Sequence, residues 1–337
     1  MNRATLPIFV NKFEEMRILK SILLCSIFFI WSCKDDSKIT KEIEAIEVDV
    51  NVKRFDLDFA NTTIETLPNI KSEYPYLFPV HFQDSIWINK IRDTLQLELN
   101  QAVKKEFNDF KNMENDFEKL FKHLRYYTPE LSIPDIVTLT SYVDYRRKMI
   151  YADSLLLISL DTYLGENHKF YEGIQYYIRK NFKREQIIPD AAVAISKELL
   201  PPPSSRSFIS QIIHHGKQLY FMDLVIPWVE DYRKIGYTKE EFQWSQVNEA
   251  EIWRYFVDRK LLFSTDQKLR ARFVDPAPFS KFYLELDAES PGEIGRFIGW
   301  QIVKSYMENN DVSLQEMFIE PEEKLFSKSG FKPKKNG

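Results

Sequence analysis

Residues 136–160, IVTLTSYVDYRRKMIYADSLLLISL, decide the fold class of this chain. Ile136 to Val143 is dense in β-branched residues, which suit a pleated, half-buried surface. Met149 to Leu160 is a second apolar run, separated from the first by the charged turn Asp144, Tyr145, Arg146, Arg147 and Lys148. Two such runs around a polar turn predict a hairpin followed by a further strand.

Outward from this segment the spacing becomes helical. Upstream, Val50, Val52 and Phe55 alternate with polar residues as an exposed strand would. Between Ser85 and Phe110, Ile86, Ile88, Ile91, Leu95, Leu97, Leu99, Val103 and Phe107 lie at helical spacing, and a second helix is predicted over Glu114–Tyr127. Downstream the pattern predicts helices over Lys169–Phe182, Pro189–Leu200, Arg206–Val225, Thr238–Phe263 and Pro291–Glu308. Pro201, Pro202 and Pro203 end the second of these, since proline cannot continue a helix. Helices, a small sheet, then helices define an α+β, predominantly helical fold. Nine glycines suit this better than a turn-rich β sandwich. Gly295 and Gly299 share one helix face, which suits close approach of another element.

The N-terminus reads as an address. Arg17 and Lys20 precede an uncharged run from Ser21 to Trp31, then Ser32 and Cys33, then Lys34, Asp35 and Asp36. This is a signal peptide over residues 1–32: a basic region, an apolar core and a small residue before the cut. The run is shorter than the roughly 20 residues that a membrane-spanning helix needs. A cysteine after the cut is what a bacterial lipoprotein requires, because its thiol takes the lipid. Stable anchoring needs two or more acyl chains, palmitate among them, at about 0.8 kcal/mol per buried CH2. Glu14 and Glu15 put acid where a basic region belongs, so Met16 is the expected start. Cys25 leaves with the signal and Cys33 remains as the lone thiol, so no intrachain disulfide is expected. Residues 33–48, rich in Lys, Asp and Glu, read as a flexible tether, residues 49–330 as the folded part, and 331–337 as a basic tail.

Charge and residue inventory exclude several functions. Without residues 1–32 the chain carries 42 Lys+Arg against 48 Asp+Glu, a balance that gives no reason to expect nucleic acid. Five histidines are present: His81, His123, His168, His214 and His215. None is followed by glutamate and no two stand four apart, so no HExxH zinc helix exists. GxSxG elbow, P-loop and GxGxxG are absent as well; Gly292, Gly295 and Gly299 have the wrong spacing. His214 and His215 point about 100° apart on a helix and do not readily share one metal. The carboxylates Glu249, Glu251 and Asp258, or Glu285, Asp287 and Glu289, read as solvated faces. Trp253, Phe256 and Phe263 read as core. No cofactor, metal site or catalytic residue follows from the inventory.

Several stretches carry a resemblance. Tyr151–Gly165 (YADSLLLISLDTYLG), Pro201–Pro227 (PPPSSRSFISQIIHHGKQLYFMDLVIP), Glu251–Asp266 (EIWRYFVDRKLLFSTD) and Arg272–Met307 resemble the gliding motility lipoprotein GldB family. That family in turn resembles HExxH zinc peptidases of the gluzincin kind. In them a strand of the LLLISLD type precedes the zinc helix, and PGEIGRFIGWQIV resembles a PGxxGYxxGxxIV stretch near their C-terminus. The resemblance implies a degenerate gluzincin-like architecture, with a mainly helical part at 49–133 and a peptidase-like part at 134–330. It places the zinc helix at Pro189–Leu200 (PDAAVAISKELL), which has no histidine, and the later glutamate ligand near His215.

The implied function is that of a cell-envelope lipoprotein required for gliding motility. It would be lipid-anchored to a membrane through Cys33, face the periplasm or cell surface, and act as a non-catalytic pseudoenzyme beside other motility or secretion proteins of the envelope. The alternative is a hydrolase with a site rebuilt around His214 and His215.

Overall fold

A computed structural model describes residues 32–334 apart from 153, 285 and 286. The signal region, with Met16, Arg17, Lys20 and Cys25, lies outside them. Two compact units divide at Glu47 and Val48. The first holds helix α1 (Ser32–Glu44), with Lys38 and Glu42 paired at 3.7 Å one turn apart. Residues expected to be a flexible tether therefore carry a 13-residue helix, because Lys and Glu are good helix formers and pair one turn apart.

In the second unit the chain runs β1 (Val52–Lys53), α2 (Phe55–Ala60), α3 (Leu67–Glu73), α4 (Asp84–Arg92), α5 (Thr94–Glu106), α6 (Lys111–Tyr127), β2 (Asp135–Leu139), β3 (Met149–Ala152) and β4 (Leu155–Ser159). Then come α7 (Tyr176–Arg179), α8 (Ile187–Leu199), α9 (Phe208–Val225), α10 (Asp231–Lys234), α11 (Lys239–Val247), α12 (Glu249–Asp258), α13 (Lys268–Phe273), α14 (Ile294–Asn309), α15 (Leu314–Ile319) and α16 (Glu322–Ser329). The fold is α+β, 58% helical, with one mixed four-stranded sheet.

Strand order is β1-β2-β4-β3. β1 pairs with β2 and β2 with β4 in parallel, Asp135 opposite Leu155 and Leu139 opposite Ser159; β3 pairs with β4 antiparallel. The expected hairpin of 136–143 with the following run is thus corrected. The tight turn falls inside the second run, after Ala152, while the first run pairs in parallel with β4. Both faces of β2 and β4 are covered, which explains their near-continuous apolar sequence. Ile136, Leu156 and Ile158 enter the large core. Val137, Leu139, Leu155 and Leu157 pack on a smaller cluster built from Phe55, Phe59, Leu67, Tyr74 and Phe78.

Four expectations change. The 85–110 pattern divides at Asp93, whose side chain caps α5 by accepting from the Gln96 N–H at 2.8 Å. The 238–263 pattern begins at a Thr238–Glu241 capping box and divides at Asn248. Residues 169–182 form only a 3-10 turn and the short α7, since Gly173 stands at φ +83° between them. The strand expected from Val50 shrinks to two residues because helix α2 starts at once. Helices α2, α3, α13, α15 and α16 were not legible as separate periodic runs.

The centre of the larger core is the crossing of α9 and α14. A Cβ on Gly216 would lie 2.3 Å from the Gly299 carbonyl carbon and oxygen, and one on Gly299 only 1.8 Å from the Ile212 carbonyl oxygen. The two backbones touch where any side chain would part them. A Cβ on Gly295, one turn earlier, would lie 2.8 Å from both the Ile212 side chain and the Phe273 carbonyl oxygen.

Candidate functional site

Ser32 and Cys33, the expected cleavage and lipidation pair, open helix α1. No helix among the described residues is long and apolar enough to cross a membrane.

His214 and His215 sit on α9 immediately before Gly216, so the helix crossing itself positions them. Their ring centroids are 5.7 Å apart and the planes near-perpendicular, as their divergent directions on the helix require. His215 Nδ1 lies 3.1 Å from Gln218 Oε1 and 3.4 Å from an Arg296 amino nitrogen on α14. Arg296 is in turn paired with Glu293, a residue held in the left-handed region at φ 59°. Burial, the Arg296 guanidinium and the neighbouring His214 hold the His215 pKa well below the ordinary histidine range. Burial also depresses His214, against the pull of Glu322. Its Nδ1 is enclosed without a hydrogen-bond partner among the described residues.

This is a neutral imidazole pair at a helix seam. The side chains at hydrogen-bond distance from His215 are the Gln218 amide and the Arg296 guanidinium. Among the described residues no group of three or more His, Cys, Asp and Glu is arranged to hold a metal ion. The helix expected to occupy the zinc position, α8, turns Ala191, Ala192, Ile195 and Ser196 into the core, where the Ser196 hydroxyl donates to the Val193 carbonyl at 2.8 Å. Asp190 on the same helix accepts from Tyr163 at 2.8 Å and pairs with Lys148 at 2.6 Å.

The remaining candidates are scattered. Glu249 is buried and accepts the Lys334 N–H at 2.9 Å, with burial raising its pKa. Glu251 pairs with Arg254 at 2.6 Å, and Asp258 is exposed. Asp287 accepts three backbone N–H groups from Phe282, Tyr283 and Leu284; Glu285 lies outside the described residues. Trp253 and Phe256 pack inward as expected, whereas Phe263 stands largely exposed. His123 lies against Trp228 with ring centroids 5.2 Å apart and planes tilted by 58°, His168 accepts the Phe170 N–H at 3.3 Å, and His81 lies against Phe82.

Three buried charge groups escaped sequence reasoning. Beside the histidines, the Lys217 ammonium, 1% exposed, donates to the Phe318 and Glu320 carbonyls at 3.1 and 2.7 Å and to Glu322 at 3.3 Å. Glu322 also accepts from the backbone and hydroxyl of Ser204. Burial pushes the Glu322 carboxyl up, but these hydrogen bonds and Lys217 outweigh it and hold the pKa below the usual range. Farther along α9, Asp223 accepts the Trp300 indole N–H at 2.7 Å and pairs with Lys234 and Lys304. Asp161, after β4, accepts from the backbone of Ser141 and Val143 at 3.0 and 2.7 Å, clamping a turn in which Tyr142 and Val143 both have positive φ. The available signal was a lysine or aspartate inside an otherwise apolar run.

These contacts brace helices rather than present chemistry to solvent. No curated protein and no solved structure matches the chain. A family model described as "Gliding motility protein GldB" matches residues 36–333, nearly all of the described chain. The chain belongs to the GldB family of gliding motility proteins.

Proposed function

We propose that this protein is a non-catalytic envelope lipoprotein of the gliding apparatus, anchored through Cys33 and using a domain descended from a gluzincin-like peptidase as a binding scaffold. The observation that carries the reading is the seam of α9 and α14. At the position where the resemblance expects a metal ligand, His215 is wedged between an amide and a paired arginine beside two touching backbones. The α8 face meant for histidines is filled by alanine and isoleucine. Metal-assisted hydrolysis uses three ligands and a bound water, and among the described residues no group of three ligating side chains is so arranged. Cys33 supplies the address, and envelope proteins of the motility or secretion machinery are the expected partners.

The test is complementation of a strain lacking the protein. His215→Gln, retained at wild-type level and with wild-type unfolding, restores gliding on this reading, whereas Cys33→Ser leaves the membrane fraction. A stable His215→Gln chain that does not support gliding, together with stoichiometric zinc and hydrolytic activity lost on chelation, overturns it in favour of a site rebuilt around His214 and His215.

A further inference from the structure

Helix α4 is an anomaly of packing. Its sequence, DSIWINKIR, has four large apolar residues, yet none of its residues is fully buried. The segment before it and its first turn are also apolar and outward: Tyr76 is 40% exposed, Val80 102%, Phe82 44% and, on α4 itself, Ile86 46%. Four large apolar side chains within eleven residues on one projection form more than scattered surface hydrophobes. The projection is rigidly built. Trp87 meets Phe78 at 4.7 Å and Phe82 at 6.4 Å, and Phe78 packs on Phe55 at 5.9 Å, tying the loop to the smaller core. Asp84 at the start of α4 pairs with Lys71 at 2.5 Å, and the Lys90 ammonium near its end lies 5.1 Å from the centre of the Tyr142 ring.

We infer that this projection, with Val80 and Phe82 at its tip, seats in the interfacial layer of the bilayer to which the chain is anchored. The inference rests on the lipid anchor proposed above. Place and composition name the occupant. Val52–Lys53 is the strand by which the chain coming from Cys33 enters the second unit, and Phe55, two residues on, packs on Phe78 at the base of the projection at 5.9 Å. The connecting chain includes a 13-residue helix, about 20 Å long, so the entry point of the domain stays within a few tens of ångströms of the lipid. Exposed Tyr76 and Phe82 beside Val80 and Ile86 are residues that favour the membrane–water boundary, aromatic rings at headgroup depth and aliphatic tips below. The paired Asp84 and the cations Lys90 and Arg92 bring no repulsion from an anionic surface. Anchor and projection together give two points of contact, which fix the orientation of a domain that an acyl chain alone would leave free to tumble.

The experiment uses the full lipoprotein carrying Val80→Cys, labelled with a polarity-sensitive nitrobenzoxadiazole probe and reconstituted into phosphatidylethanolamine–phosphatidylglycerol vesicles. Ile319→Cys, 72% exposed and away from the projection, is the control. Both positions are exposed, so both variants retain the wild-type unfolding transition. The expected result is a blue shift at position 80, with loss of emission to a spin-labelled lipid, and neither at position 319. The mass of the N-terminal peptide reports acylation separately. An acylated chain whose probe at 80 behaves like that at 319 overturns the inference while the anchor stands; an unacylated chain whose probe at 80 still shifts with vesicles supports the contact and overturns the anchor. A blue shift that grows with protein concentration in the absence of lipid assigns the face to a second copy and overturns the bilayer contact.

Discussion

Gly299→Ala tests the structural centre of this protein. The added Cβ would stand 1.8 Å from the Ile212 carbonyl oxygen, 2.4 Å from its carbon and 3.1 Å from the Ile213 nitrogen. A carbon and a carbonyl oxygen settle at about 3.3 Å or more, so α9 and α14 must separate by roughly 1.5 Å. Main chain stands on both sides of the clash, and no rotamer change relieves it. A gap of about 0.5–1 Å already forfeits a quarter to a half of the dispersion well for each contact it opens and a wider one forfeits more, and the seam includes Ile212, Ile213, Phe297, Ile298 and Ile302, all buried. Overpacking costs up to about 3 kcal/mol and occasionally more, and alanine returns about 1 kcal/mol of helix propensity. The two-sided backbone clash places this case at the upper extreme, a net loss of about 3 kcal/mol. Urea unfolding followed by tryptophan fluorescence reads it, since Trp300 lies buried on α14. The midpoint should fall by about 1 M for a slope near 3 kcal/mol/M. Gly173→Ala is the reference: it stands at φ +83° with nothing within 4 Å of the added carbon, and should lose only about 1–2 kcal/mol of backbone strain. If Gly299→Ala unfolds at or above the midpoint of Gly173→Ala, the two backbones do not touch as described.

Two further outcomes concern the groups beside that seam. Glu322→Gln leaves the Lys217 ammonium buried without its carboxylate and should cost about 3 kcal/mol, whereas Lys217→Met with Glu322→Leu should recover most of the loss; equal destabilisation in single and double variants would refute the pairing. Because the His214 and His215 pKa values are lowered in the folded state, the unfolded chain takes up protons first as pH falls below about 6.5. Stability should therefore be full above that pH and decline below it, by up to about 1.4 kcal/mol per pH unit for each histidine until its folded pKa is reached. Urea midpoints of wild type and His215→Gln measured from pH 7.5 to 5 should converge at the high end and separate at the low end, with the wild type losing more.

Much of the fold was legible because periodicity is a local property. The runs at Lys111–Tyr127, Ile187–Leu199, Phe208–Val225 and Ile294–Asn309 fall within a few residues of their expected bounds, and the close approach expected of Gly295 and Gly299 is realised against Ile212. Breaks inside long patterns were less legible, since Asp93 and Asn248 act through side-chain and backbone caps that hydrophobic spacing does not register. The hairpin expectation failed for a related reason: two apolar β-branched runs say that strands exist, not which edge each will meet.

By itself the sequence determined the helical majority, the small sheet, the missing HExxH and the cysteine after an apolar run, all of which depend on residue identity and short spacing. Tertiary structure alone decided that β2 runs parallel to β4, that Lys217 finds Glu322 across 105 positions, and that His215 is wedged at a glycine crossing. Those outcomes depend on which distant groups are brought together and stripped of water. Burial then sets whether a histidine or a lysine keeps its charge, and no local pattern encodes that.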